Sequence, residues 1–360
     1  MGGPYKILVV NPGSTSTKLG LFEDEKPISI KKIEHSAQEL EKFPKVLEQY
    51  PLRRQVMLQF LKECQLEPTQ LSAIIGRGGL LKPIPGGTYK VCPKMVEDLN
   101  SSKYGEHASN IGAILAYGFE WDYQIPAYVV DPVVVDELND LARLSGLKDI
   151  PRRSIWHALN ILAVTRMACN KHNWNFKNEN FVVTHLGGGI SVAALEKGRC
   201  IDVSNGLEAG PYTPERAGTL PSLELVNLCY SGKFTHAEMK KMIVGKGGLV
   251  NYLGTSDLRE VETRIDQGDD YAKMIFDGMA YQVAKEIGSY LVVLKGKVKK
   301  VLITGGGAKS KLLVDRIKEY IEPLASILVI PGEDELAALA LGGLRILRGE
   351  EKPLDYGAIP

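Results

Sequence analysis

Two short stretches of this chain place glycine and hydroxyl residues between apolar runs, and each could hold an oxyanion. In the first, Ile7-Leu8-Val9-Val10 leads into Asn11-Pro12-Gly13-Ser14-Thr15-Ser16-Thr17-Lys18 and returns through Leu19-Gly20-Leu21-Phe22. In the second, Phe181-Val182-Val183 leads into Thr184-His185-Leu186-Gly187-Gly188-Gly189 and returns through Ile190-Ser191-Val192-Ala193-Ala194-Leu195. A turn without bulk bares backbone N–H groups and hydroxyls, the donors a phosphate needs. In the first turn Ser14 and Ser16 can bond phosphate oxygens, Asn11 can reach a metal or a phosphate, and Lys18 adds a point charge. An ordinary polar hairpin tip is the alternative, although the turn is longer than a hairpin needs. Consecutive glycines at 187, 188 and 189 cost backbone entropy unless something must come close. A third run, Thr304-Gly305-Gly306-Gly307-Ala308, stands ahead of a helix, where an adenine or ribose could lie on bare backbone. No GxxxxGK[ST] occurs, so the P-loop is excluded. Paired turns of this kind point to a polyphosphate held from both sides, and to phosphoryl transfer from ATP.

Other residues suit the same chemistry. Arg77 lies in Gly76-Arg77-Gly78-Gly79 and Arg216 in Pro214-Glu215-Arg216-Ala217-Gly218, where a guanidinium has room to meet an oxyanion. Phosphoryl transfer wants such planar, always-charged forks around the equatorial oxygens. An ion pair within the fold accounts for either arginine equally well. Asp131 ends an apolar strand, a common catalytic address, and could as readily cap the turn before Pro132. His157 stands among Trp156, Ala158 and Leu159, a setting that suits a packed core histidine. His107 has the same ambiguity, whereas His35, His172 and His236 read as surface.

The elements that must position these groups alternate between strand and helix. Charged residues with apolar ones at helical spacing over 36–65 predict helices broken by Pro44 and Pro51. Helices are also expected over 106–118, 156–170, 271–294, 311–321 (with Ser310 as cap) and about 333–348. Strands are expected at 73–75, 127–130, 301–303 and 327–330, besides the two hairpins. This pattern argues a mixed α/β sheet in each half. A length of 360 residues favours two domains, with a linker at Gly146–Ser154. The expected division is 1–150 plus about 331–360, and 151–330. A net charge of +1 gives no electrostatic case for nucleic acid or a membrane surface, and no apolar run approaches the roughly 18 residues of a membrane span. Five scattered cysteines without a CxxC, and no secretory apolar segment before the first strand, fit a cytoplasmic protein with reduced thiols.

Taken in order, these motifs resemble the acetate/butyrate kinase family, within the actin-like and sugar-kinase superfamily. Asn11–Lys18 resembles the family's NAGSSSxK, Gly76-Arg77 its GHR, and Arg152-Arg153-Ser154-Ile155-Trp156-His157 its RRYGFH. His185–Gly189 resembles HLGNG, Glu215-Arg216-Ala217-Gly218 resembles TRxGD, and Ser256-Asp257-Leu258-Arg259 resembles SDxR. Gly305–Lys309 resembles GIGEN, and Glu333-Asp334-Glu335-Leu336 resembles NEEL. Ala308 and Lys309 replace the Glu-Asn of GIGEN, and Thr219 stands where TRxGD ends in Asp. The segment Gly76–Tyr89 looks like the butyrate kinase branch.

The resemblance implies two actin-like (ribonuclease H-like) α/β domains of mixed sheets flanked by helices, with a nucleotide cleft between them. It implies Mg²⁺ with ATP/ADP as cofactors, a short-chain carboxylic acid as substrate, an acyl phosphate as product, and a homo-oligomer, a dimer or higher. Arg77 would bind the acyl substrate, Arg216 and His157 the transferring phosphoryl group, and Asp131 would be the catalytic aspartate. Ser14, Ser16, Lys18, His185, Gly187, Gly188, Gly189, Asp257, Arg259, Gly305, Gly306 and Gly307 would contact the nucleotide. Asn11, with Asp334 or Glu333, would hold the metal, the match on the shared Leu336 favouring Asp334. Gly78 and Gly79, replacing bulkier residues beside Arg77, are expected to leave room for a longer acyl tail.

Overall fold

The computed structural model describes residues 3–43 and 45–359. Its contacts divide the chain into unit 1, Met1–Val135 with Asp334–Pro360, and unit 2, Asp136–Glu333. The strands are β1 (Lys6–Pro12), β2 (Ser16–Glu23), β3 (Lys26–Glu34), β4 (Ala73–Gly76), β5 (Thr88–Lys90), β6 (Ala127–Val130), β7 (Asn180–Leu186), β8 (Ile190–Glu196), β9 (Arg199–Val203), β10 (Lys300–Gly305), β11 (Ile327–Pro331) and β12 (Leu354–Asp355).

The unit 1 sheet runs β12-β5-β6-β4-β1-β2-β3. Strands β1, β2 and β3 form an antiparallel meander, and β4 and β6 continue from β1 in parallel. Successive side chains on a strand point to opposite faces, so a sheet covered on both sides reads as an unbroken apolar run. Ile7 to Val10 and Ala73 to Ile75 are accordingly all fully buried. Ile74 joins a core with Ile111, Leu115 and Phe119 of the helix Asn110–Tyr123. Its neighbour Ile75 instead lies under Gly343 of the helix Glu335–Leu347. β3 is an edge strand, and Lys26, Lys31 and Lys32 keep it soluble.

The unit 2 sheet runs β11-β10-β7-β8-β9 and repeats that pattern: an antiparallel meander of β7, β8 and β9, then β10 and β11 in parallel. The long helix Asp270–Val293 packs Met279, Val283 and Ile287 against Val182, Val192 and Val301 of this sheet. Ser310 caps the helix Lys311–Ile321 by accepting the Leu313 amide at 3.0 Å, as its type and position predict.

Several sequence expectations shift. Pro44 lies outside the described residues, and Pro51 does not break a helix but sits in the first turn of Tyr50–Glu63, where its missing N–H costs nothing. The helix expected at 106–118 runs Asn110–Tyr123, and that at 156–170 runs Ala158–His172. The first division between units falls before residue 150. The Asn139 amide donates to the Ile201 carbonyl at 3.0 Å and the Cys200 amide to Glu137, which ties the segment after Val135 to β9. Among the described residues, no helix is long and apolar enough to cross a membrane.

Candidate active site

In unit 1 the first glycine-hydroxyl turn closes by a bond of 2.8 Å from the Gly13 amide to the Ser16 carbonyl. Asn11 pairs with Lys18 across the hairpin, so the two share a face with Ser16, and Thr17 points the other way. Ser14, Thr15 and Lys18 are exposed, whereas Thr17 is fully buried. The Thr17 hydroxyl is not available to a ligand, since it lies 2.9 Å from Arg53 Nη1 and 2.8 Å from His35 Nε2. Arg53, from the helix Tyr50–Glu63, is fully buried and donates to the carbonyls of Ser16 and Gly13 at 2.9 and 2.8 Å. Gln49 Oε1 accepts from its Nε and Nη2 at 3.0 and 2.8 Å. Burial lowers the Arg53 guanidinium to about 10, which leaves it charged at neutral pH. His35 is buried, contrary to its expected place on the surface. Burial and then the Arg53 charge push its imidazole below the usual range.

Asn11 Nδ2 donates to Glu335 Oε2 at 2.7 Å, and Glu335 Oε1 lies 3.5 Å from Arg77 Nη2. The carboxylate that bonds Asn11 is thus that of Glu335. Asp334 accepts the Ala337 amide at 2.9 Å as the cap of Glu335–Leu347, and Glu333 lies 3.3 Å from His185 Nε2. Capping commits the Asp334 side chain to its own helix, and the next residue takes the position beside Asn11.

Arg77 follows β4 where that strand meets the helix Asn110–Tyr123. Its amide donates to the Val10 carbonyl at 2.9 Å. A Cβ at Gly76 would lie 2.3 Å from the Gly112 carbonyl oxygen, and one at Gly112 would lie 2.6 Å from that of Arg77. Glycine at both positions lets strand and helix touch. Arg77 Nη1 is buried and has no hydrogen-bond partner among the described residues. Gly78 and Gly79 do not open space for an acyl chain. A Cβ at Gly78 would lie 2.5 Å from Val129 Cγ1 and 2.6 Å from Pro132 Cβ, and one at Gly79 2.3 Å from Asn110 Oδ1. These glycines let the loop pack on its own unit. Asp131, fully buried with a φ of 38°, accepts the Gly87 amide at 2.6 Å through Oδ1 and donates its own amide back at 3.0 Å. A non-glycine residue held there is strained, a state that clusters at functional sites.

In unit 2 the second turn is filled partly by the protein itself. A Cβ at Gly189 would lie 2.2 Å from Arg216 Nη1, and one at Gly188 3.3 Å from Glu215 Oε2. The Arg216 guanidinium thus lies on bare backbone and donates to the Gly206 carbonyl. Burial presses it below its ordinary pKa, and Glu215 opposes that. Thr213 ties the two segments together: its hydroxyl donates to the Gly188 carbonyl at 2.5 Å and accepts the Arg216 amide at 3.0 Å. His157, at the start of Ala158–His172, stacks on His185 with ring centroids 4.0 Å apart and planes 11° from parallel. Ser191 Oγ lies 2.9 Å from His157 Nδ1, and Asn160 Oδ1 lies 2.8 Å from His185 Nδ1.

The third glycine run begins at Gly305, whose φ of 93° and approach to Leu186 exclude a side chain, since a Cβ would lie 2.2 Å from the Leu186 carbonyl oxygen. Gly306 faces open space. Asp257 and Arg259 pair with each other at 2.6 Å at the exposed start of Leu258–Asp266, and this pairing holds the Asp257 carboxyl at about 2. Among the described residues, none of their side-chain hydrogen bonds or ion pairs joins them to the glycine turns. Within unit 2, then, the structure gathers His157, His185, Glu333, Gly187–Gly189 and Arg216. Within unit 1 it gathers Asn11, Arg77 and Glu335. Sequence reading missed Arg53, Glu335, Asn160, Ser191 and Thr213.

The acetokinase family model matches residues 148–327, half of the chain. The chain belongs to the acetokinase family. That makes it a phosphotransferase that uses ATP to phosphorylate a carboxylate. The fold is similar to that of an acetate kinase from Porphyromonas gingivalis, with a TM-score of 0.77 at 18% identity over 95% of this chain and 100% of that one. A propionate kinase from Francisella tularensis subsp. tularensis SCHU S4 gives 0.72 at 20% identity over 94% and 98%. An acetate kinase from Entamoeba histolytica gives 0.73 at 17% identity over 94% and 98%. These matches bear out the two-domain actin-like fold of mixed sheets flanked by helices.

Proposed function

We propose that the acceptor is a short-chain carboxylic acid, butyrate or a branched analogue, and that Arg77 receives its carboxylate. The observation that carries this reading is the buried Nη1 of Arg77, a charged donor with no hydrogen-bond acceptor among the described residues. Leaving such a group unpaired is expensive, so an external oxyanion is the natural partner. The preference for butyrate rests on the likeness of Gly76–Tyr89 to the butyrate kinase branch. Space beside Gly78 and Gly79 adds nothing to it, since Val129, Pro132 and Asn110 fill that volume.

A carboxylate is already anionic at neutral pH and needs no strong general base. One of its oxygens forms a bond to the γ-phosphorus as the bond to the ADP oxygen breaks. Positioning and charge stabilisation supply the rate. Arg216 and His157 stabilise the transferring oxygens, and Ser191 holds the His157 ring. The turns at Asn11–Lys18 and His185–Gly189 receive phosphate oxygens, and Gly306 leaves backbone bare for the nucleoside. Asp131 orients the acceptor loop through Gly87.

Asn11 and Glu335 offer hard oxygen donors, suited to a hydrated Mg²⁺ bound largely through water. Such an ion, when bound, neutralises charge on the transferring phosphate. The helix Ser222–Cys229 buries none of its residues and exposes Leu223 and Val226, which fits a homo-oligomer.

Trapping acyl phosphate with hydroxylamine tests the reading, using acetate, propionate, butyrate and isobutyrate with MgATP. Product with the four-carbon acids at higher kcat/KM than with acetate is expected. Higher kcat/KM with acetate or propionate moves the preference to those acids, and no product with any acid overturns the proposal. Arg77→Ala should raise KM for the acid roughly tenfold to a hundredfold, the worth of a charged hydrogen bond, and KM for ATP far less. A larger rise for ATP would move Arg77 to the nucleotide.

A further inference from the structure

Beneath the first turn lies a charge that the chemistry above does not use. Arg53 is fully buried, and among the described residues no carboxylate pairs with it. Its partners are carbonyl, amide and hydroxyl oxygens: Gly13 O, Ser16 O, Gln49 Oε1, Thr17 Oγ1 and, at 3.5 Å, Ser14 O. Burying a charge without a counter-charge is costly, and a hydrophobic residue would fill a core site more cheaply. The helix that carries Arg53 already packs Met57, Phe60 and Leu61 into the core, so anchoring does not require the guanidinium.

Three of its acceptors are main-chain carbonyls of one short turn. A carbonyl repels a phosphate oxygen and an amide N–H attracts it, so a turn that serves phosphate must keep its carbonyls on the far side. We propose that Arg53 is the positioning residue of this turn: it draws the carbonyls of Gly13, Ser14 and Ser16 toward the core, so that amides and hydroxyls face an incoming phosphoryl group, whose negative charge balances the buried guanidinium. Thr17 completes the arrangement, taking the Nη1 bond and lying 2.8 Å from His35 Nε2, while the His35 amide donates to Thr15 O at 2.8 Å. The inference rests on the reading that the turn holds phosphoryl oxygens.

The test uses the full chain with ATP as probe. Arg53→Lys keeps the charge but loses the fork that reaches several acceptors at once. It should weaken calorimetric ATP binding and raise KM for ATP about tenfold, with KM for the acid nearly unchanged and kcat within about threefold. Hydrogen exchange at the Ser14 and Thr15 amides, at the exposed tip of the turn, should slow on ATP addition in the parent and not in the variant. Should Arg53→Lys fail to fold, Gln49→Leu and Thr17→Val loosen the guanidinium while sparing it, and about threefold weaker ATP binding is expected of each. A folded variant with lowered melting temperature but parental KM for ATP would make Arg53 a staple of the fold only and overturn the proposal. Unprotected turn amides in the ATP-bound parent would do the same. If the parent protects these amides yet makes no acyl phosphate, the acceptor reading fails and this one stands.

Discussion

The β1–β2 and β7–β8 turns are one device realised in opposite ways. Around Gly13–Ser16, the support comes from below: a buried guanidinium ties down the carbonyls, and among the described residues neither the exposed Ser14 hydroxyl nor the buried Ser16 hydroxyl makes a hydrogen bond. Around Gly187–Gly189, the support comes from above: the bare backbone is a seat for the protein's own Arg216 and Glu215. A glycine-rich turn therefore does not by itself mean that a ligand fills the missing volume. The first turn offers backbone donors, and the second aims a side chain.

Removing what the second turn seats should have the largest effect. Arg216→Ala should lower kcat by on the order of 10²–10³, the worth of one preorganised charge contact, while ATP binding changes little. Single-turnover kinetics with ATP and the acid would measure it, and a variant keeping most of its kcat would leave the seat without a catalytic occupant. Next, Gly189→Ala keeps the arginine but fills the seat. A methyl 2.2 Å from Nη1 must displace the guanidinium, and a shift near 1 Å costs up to about 10²-fold. We expect kcat to fall between roughly tenfold and a hundredfold with almost no change in melting temperature.

The first turn should respond more mildly to loss of a side chain. Ser14 is exposed in a turn closed by backbone, so Ser14→Ala should raise KM for ATP only about two- to tenfold, one neutral hydrogen bond. A loss as deep as that of Arg216→Ala would erase the contrast between the turns. The smallest effect concerns pH. His35 has a folded pKa below its ordinary 6.5, set by burial and Arg53, with Glu39 and Glu34 pulling the other way. Below about 6.5 the unfolded chain binds a proton that the folded site resists, so this stabilisation is full above that pH and fades as pH falls through the folded pKa. His35→Gln should flatten the acid-side decline of the melting temperature by about 2 °C, seen by calorimetry between about pH 7 and 5.

Much of this was legible in the residues. The meander turns, the buried strands ending at Gly76 and Asp131, and the cap at Ser310 follow from apolar runs, small residues and a helix signature. What escaped was whatever depends on contacts distant in sequence. Arg53 sits on a charged helix where nothing local says that Gly13 and Ser16, some 40 residues away, will close over it. Glu335 was passed over because a motif fixes residue types, whereas capping geometry decides which of three adjacent acids turns inward. The volume beside Gly78 and Gly79 looked empty in sequence because Val129 and Pro132 reach the first, and Asn110 the second, only through the sheet and its covering helix.

The order in which the chain is made gives its topology a further meaning. Unit 2 is one continuous segment, Asp136–Glu333, whereas unit 1 joins Met1–Val135 to Asp334–Pro360. During synthesis, β1 and β2 with the helix that carries Arg53 emerge before unit 2 and before the helix Glu335–Leu347. The helix that covers β1 and β4, the strand β12 that pairs with β5, and buried Tyr356, whose hydroxyl donates to Asp98 at 2.9 Å, emerge only after the whole of unit 2. Glu335 travels with them. A nascent chain thus carries the β1–β2 turn well before it carries the carboxylate that bonds Asn11.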